Sequence, residues 1–360
     1  MTVARQATAP APTSITAPAP ASLGPGLVLA ALAVLAGAVL AGVLVGPVRL
    51  SPADVLAEIA DRLPFLSPGG GLSERDAVIL WQLRMPRVIL GGLVGGTLAV
   101  SGAAYQGVFR NPLADPYLLG AAAGAGLGAT LAIAYGLDVT GSAGGLLPLA
   151  AFAGALLGVG AAYALGRSAG RRSPSTLVLA GVAVASFLTA LQTYVQQREA
   201  ETLREVYAWI LGRLATAGWA EVVLILPYVA VSAVVVMACR RLLDVMSVGD
   251  EEAAGLGVTP SRIRAVIVAA ASLGTAAAVA VSGLIGFVGI IVPHAVRLIA
   301  GPSYRLIVPL SLVFGGAFLV LADVAARTVM APAELPIGVI TAFFGAPFFA
   351  LVLRGARRAI

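Results

Sequence analysis

The sequence predicts an all-α polytopic membrane protein with ten transmembrane helices, and three observations carry that prediction. Mean hydropathy is +0.97 over 360 residues, with 59% of residues hydrophobic and only 11% charged. Apolar runs close to the about 20 residues that a bilayer crossing needs recur along the whole chain. Nothing alternates with the two-residue period that marks the strands of a membrane barrel. By length, the spans are 26–47, 88–109, 117–137, 145–166, 175–196, 221–239, 263–281, 283–300, 306–327 and 336–354.

Residues 1–25, "MTVARQATAPAPTSITAPAPASLGP", hold Ala, Pro, Thr and Ser with a single Arg5. Such a segment buries too little apolar surface to order itself, so a disordered tail is expected. The run at 26–47 is too long for a signal peptide and has no basic residue directly before it, which predicts a retained helix. In the second span, Gly91-Gly92 and Gly95-Gly96 form overlapping G-x-x-x-G pairs, and Gly120, Gly124 and Gly128 continue that spacing in the third. Small residues at this interval let membrane helices approach closely, without saying which helix is the partner. Between these spans lies "RNPLADP" (110–116), where Pro112 and Pro116 stop the second helix and turn the chain after Asn111. A polar loop at 243–260 contains "VGDEEAAGLGV", three consecutive acids in a chain with few charges. The spans at 263–281 and 283–300 nearly touch, and their boundary also reads as one long hairpin.

Charge distribution gives an orientation. The chain has no lysine, so its 23 basic residues are all arginine. Fourteen fall on one face, counting Arg5, Arg110, Arg167, Arg171, Arg172, Arg240, Arg241, Arg262, Arg264, Arg297, Arg305 and the cluster Arg354, Arg357 and Arg358. Nine fall on the other, together with most of the acids. The arginine-rich face is the cytoplasmic one by the positive-inside rule, which places both termini and the "DEEAAGLG" loop inside. Arg84 and Arg87 in "WQLRMPRVIL" run against the trend. Such charges are either functional or snorkel to head groups.

Several chemistries are excluded. Without lysine there is no G-x-x-x-x-G-K-[ST] loop to hold ATP phosphates. The single histidine, His294, and single cysteine, Cys239, supply neither a metal cluster nor an intrachain disulfide. A catalytic triad would depend on His294 alone, and a proton relay on the one mid-span acid, Asp323. Neither an enzyme nor a self-powered pump is expected.

Three stretches carry a resemblance: "WQLRMPRVILGGLVGGTLAVSGAAYQGVFRNPLADPYLLGAAAGAGLG" (81–128), "GLIGFVGIIVPHAVRL" (283–298) and "LADVAARTVMAPAELPIGVITAFFGAPFFALVL" (321–353). From about residue 50 to the end the chain resembles the FecCD-type permeases, membrane subunits of ABC importers for iron–siderophores, haem and cobalamin. The resemblance implies one ten-span permease domain over 26–360 and no cofactor on this chain, ATP and Mg being held by a partner ATPase. It implies as partners a second copy, two ATP-binding subunits, an extracytoplasmic binding protein, the metal chelate and the bilayer; nucleic acid is not among them.

It also implies roles for particular residues. The loop with Asp250, Glu251, Glu252, Ala253, Ala254, Gly255 and Gly257 is expected to dock on the ATPase as a short helix. There the acids suit the positive end of the helix dipole, and the small residues allow close approach. Arg84, Arg87 and Arg327 are expected to receive glutamates of the binding protein. Asn111, Pro112 and Pro116 are expected near the inner side of the pathway. The function expected is import of a metal chelate, iron(III)–siderophore first, then cobalamin or haem, by alternating access between two copies in the cell membrane. An ion-coupled secondary transporter is the alternative from another class.

Overall fold

The computed structural model describes residues 23–62, 71–137, 145–168, 174–215 and 217–356. Apart from its last three residues, the predicted tail at 1–25 lies outside these. Among the described residues every regular element is helical. In order they are α1 (Pro25–Leu44), α2 (Pro52–Asp61), α3 (Glu74–Val78), α4 (Met85–Phe109), α5 (Ala121–Ala134), α6 (Leu146–Ser168) and α7 (Pro174–Arg198). There follow α8 (Leu203–Ile210), α9 (Trp219–Ser247), α10 (Asp250–Gly255), α11 (Pro260–Ser282), α12 (Val288–Ala300), α13 (Tyr304–Thr328) and α14 (Ile337–Ala356). A π-helical turn, Ile79–Arg84, joins α3 to α4. Pro86 has no N–H to give the turn before it, and the helix widens there.

Among the described residues seven helical stretches are long and apolar enough to cross a membrane, and three shorter apolar helices, α5, α12 and α14, stand where the other predicted spans lie. Two of those spans need correction. The run at 117–137 becomes helical only at Ala121, and that at 283–300 only at Val288. Each helix is preceded by backbone that an α-helix cannot accommodate: Gly120 at φ 83°, and Gly283 and Phe287 at φ 70°. At 14 and 13 residues, α5 and α12 fall short of the about 20 that a crossing takes.

The backbone freed at these breaks finds partners inside the protein, as it must in an apolar medium. The Tyr117 hydroxyl donates to the Ile285 carbonyl at 3.0 Å and accepts from the Ile285 N–H at 3.1 Å. The Arg213 N–H donates to the Ser282 carbonyl at 2.8 Å.

α4 is the central helix, buried along nearly its whole length, with α11 and α13 packed on it and α1 and α7 at the periphery. The glycine spacing serves packing within the chain. Gly95 lies against Gly315 of α13, Gly102 against Gly289 of α12, and Gly124 against Gly154 of α6, all so close that a Cβ would meet backbone. A polar stripe on α4 fixes its rotation. Ser101 donates to the Ala271 carbonyl at 3.0 Å, Tyr105 shares a hydrogen bond with Ser272 at 2.7 Å, and Gln106 donates to the Gly289 carbonyl at 3.1 Å.

Candidate functional sites at the two ends of the bundle

One end of the bundle is organised around α10. Gly249 (φ 136°) and Gly257 (φ 82°) turn the chain on either side of it, so a single helical turn projects between the long helices α9 and α11. Its residues divide by face. Ala253 is fully buried, while Glu251, Glu252, Ala254, Gly255 and Gly257 are exposed. Asp250, three residues before Ala253, stands on the same side but stays partly exposed. Its carboxylate accepts from Arg264 of α11 at 3.0 Å and pairs with Arg110, just past the end of α4, at 3.5 Å. Of the residues assigned to the loop, Asp250 and Ala253 therefore anchor the turn, and the other five form what it presents. The sequence reading missed Leu256 and Val248, exposed by 70% and 60% beside them. Their signal was available, as apolar side chains flanking the run of acids and small residues.

The 110–116 turn lies at this same end. Arg110 takes the left-handed conformation that ends α4 (φ 50°). The Asn111 side chain accepts from the Leu113 N–H at 3.0 Å, and the Asp115 carboxylate accepts from the Tyr117 N–H at 2.8 Å, two Asx turns in succession. Asn111 and Pro112 are exposed, whereas Pro116 is buried against Gly289. Burial pushes the Asp115 carboxyl up to about 6, against the lowering effect of the Tyr117 N–H. Nearby, Asp244 of α9 caps α13, accepting from the Tyr304 N–H at 2.6 Å and the Ser303 hydroxyl at 2.8 Å.

The opposite end gathers Arg84, Arg87 and Arg327, as the sequence reading grouped them, but in another relation to the surface. Arg84 is 5% exposed and Arg327 3%. Arg84 donates to the carbonyls of Val43 at 2.6 Å, Leu44 at 3.0 Å and Val48, and Arg327 donates to that of Gly42. These carbonyls belong to the last turn of α1 and the residues after it, the negative end of a helix that carries no basic residue of its own there. Two guanidinium groups from other helices thus cap α1 and fasten it to the bundle. They neither snorkel nor face outward. Arg87 grips Asp323, buried in α13, at 2.8 Å and Glu334 at 2.9 Å, and Arg327 lies 3.5 Å from the same Asp323. Only the Arg87–Glu334 pair reaches the surface.

Tryptophans border this end. The Trp81 ring N–H donates to Glu58 at 3.0 Å under the Arg62 guanidinium, and that of Trp219 donates to the Trp81 carbonyl at 2.8 Å. Indoles with one apolar and one hydrogen-bonding edge favour the membrane–water boundary.

The model of the FecCD transport family matches residues 32–355 of this chain. The chain belongs to the FecCD transport family. Among the relatives of this FecCD protein, the cobalamin import system permease protein BtuC of Halobacterium salinarum is 44% identical over 79% of this chain and 75% of its own. The iron(3+)-hydroxamate import system permease protein FhuB of Bacillus subtilis is 39% identical over 78% of this chain and 73% of its own. A solved structure of a metal-chelate type ABC transporter in an inward-facing conformation superposes with a TM-score of 0.80 at 25% identity, covering 92% of this chain and all of that one. The FecCD protein is an integral membrane protein of the all-helical permease fold.

Proposed function

We propose that this FecCD protein is the membrane-spanning permease subunit of a binding-protein-dependent ABC importer of a metal chelate. In this reading two copies work together, and ATP and Mg are handled by separate ATPase subunits. The observation that carries the proposal is α10: one exposed turn with small and apolar residues outward, braced to α4 and α11 through Asp250. A secondary transporter has no use for such a docking turn. The chelate is drawn as a class, because relatives carry names for both cobalamin and ferric hydroxamate. Its cargo arrives with its metal already caged, so the pathway needs no metal ligands of its own. The orientation follows the arginine excess, with α10, the 110–116 turn and both termini on the cytoplasmic side.

For the binding protein we place the dock around Arg87 and Glu334. Arg84 and Arg327 support it from beneath by holding α1. Charge reversal at Arg87 is a poor test of docking, since it would set a carboxylate against buried Asp323. Glu334→Lys leaves that pair intact and turns a rim anion into a cation, so it should speed association with an acidic lobe and slow association with a basic one, the difference shrinking as salt rises.

The deciding experiment is uptake into proteoliposomes holding this chain, its ATPase and a binding protein, with ferric hydroxamate and cobalamin offered in parallel. Vanadate-sensitive accumulation of either chelate supports the reading. Accumulation that follows an ion gradient and needs no ATPase would refute it.

A further inference from the structure

At the α10 end, α6 and α11 part to leave a cavity of about 210 Å³, lined by Arg167, Arg262 and Arg264 with Tyr163 and Ser261. Among the described residues no acid lines it. Arg264 is held in place from behind by Asp250. Arg262 stands in the first turn of α11, where a cation opposes the positive end of the helix dipole. An anion in the cavity would relieve that conflict.

The cavity does not stop at the end of the bundle. Tyr163 and Ala265 are shared with a groove of about 760 Å³ that runs up the membrane-facing side between α6, α9 and α11. Its floor is kept low by Gly160, Ala265 and Ala269, and its lining is otherwise apolar. The one serine there, Ser272, is already engaged by Tyr105. A basic cup thus opens directly into an apolar trough, the pairing that a phospholipid's phosphate and acyl chain call for.

We propose that this composite site binds an anionic phospholipid, with the phosphate among Arg167, Arg262 and Arg264 and one acyl chain along the trough. Basic pockets between membrane helices on the cytoplasmic side are suited to such head groups, and the α10 end is cytoplasmic under the orientation proposed above. A second copy of this chain is the less fitting occupant. A two-fold contact through this face would bring the arginines of both copies into one interface with no acid among the described residues lining either cup, which disfavours it.

The test uses the purified full chain in mild detergent, with phosphatidylglycerol and phosphatidylcholine competing in equal amounts and bound lipid read by native mass spectrometry. Phosphatidylglycerol should be preferred roughly tenfold, and Arg167→Ala with Arg262→Ala should abolish the preference. Arg264 is left intact because it supports α10. Gly160→Leu, at a position where a side chain meets open space, should weaken lipid retention while the arginines remain. Equal binding of the two lipids, or unchanged preference in the double variant, would overturn the proposal. So would displacement by millimolar inorganic phosphate with Gly160→Leu silent, which marks a free-phosphate site. A change of oligomeric state in Gly160→Leu would assign the trough to a second copy instead. None of these readouts depends on transport, so the site stands or falls apart from the importer reading.

Discussion

Arg84 and Arg327 make the clearest case at the scale of single residues. Hydrogen bonds from a charged donor are worth about 1.5–3 kcal/mol each, and a buried acceptor left unpaired costs about 1–3 kcal/mol. Arg84→Ala strands three carbonyls and should lower stability by about 3 kcal/mol or more, measured by thermal unfolding in detergent. Glu334→Ala, at the exposed end of the same network, should cost less than about 1 kcal/mol. Equal effects of the two changes would refute the capping role. Asp115 gives a second prediction, this one dependent on pH. Its folded value, raised from 3.8 to about 6, means that the fold resists the charged form. Stability from this group is therefore complete below pH about 4 and is lost as pH rises through about 6. Asp115→Asn keeps the acceptor for the Tyr117 N–H. It should be more stable than the parent by about 1–3 kcal/mol at pH 8, with the difference gone near pH 4.

For whole elements, the outward face of α10 can be tested directly. Leu256→Asp places a charge where an apolar partner surface is expected, and should reduce co-purification of the ATPase about tenfold. Glu251→Lys with Glu252→Lys should do less, because exposed pairs are worth about 0–1 kcal/mol each. A bulky residue at Gly257 strains a backbone at φ 82°, so its effect would arise within this chain as well as at the interface. The long helices were legible in the sequence because each is one apolar run bounded by proline, glycine or arginine. The breaks before α5 and α12 were not, because apolar residues fill them as densely as they fill a helix. Only the left-handed residues and the Tyr117 clasp, a contact across 168 positions, end the helical path there. The arginines were recognised as out of place, but their partners are main-chain carbonyls, which leave no mark in a sequence.

On the scale of the whole molecule, the orientation is open to a direct check. Single cysteines at Thr259 and Gly71, both exposed, in a background lacking Cys239, should separate under an impermeant thiol reagent applied to intact cells. The reagent should reach Gly71→Cys and spare Thr259→Cys; the reverse would invert the protein in the membrane. The same long-range view gives the Asp250 brace a mechanical meaning. Gly249 and Gly257 are two joints, and the turn between them is held inward by Ala253 and by one polar crossing. One carboxylate ties the link to the tail of the central helix and to the start of α11, so a push delivered there is divided between two beams of the bundle. Asp250→Ala would remove the strut and leave the turn held inward by Ala253 alone. If this chain works with an ATPase as proposed above, the ATPase should then still bind and hydrolyse ATP, with part of its stroke lost, and the number of ATP consumed per chelate moved should rise several-fold.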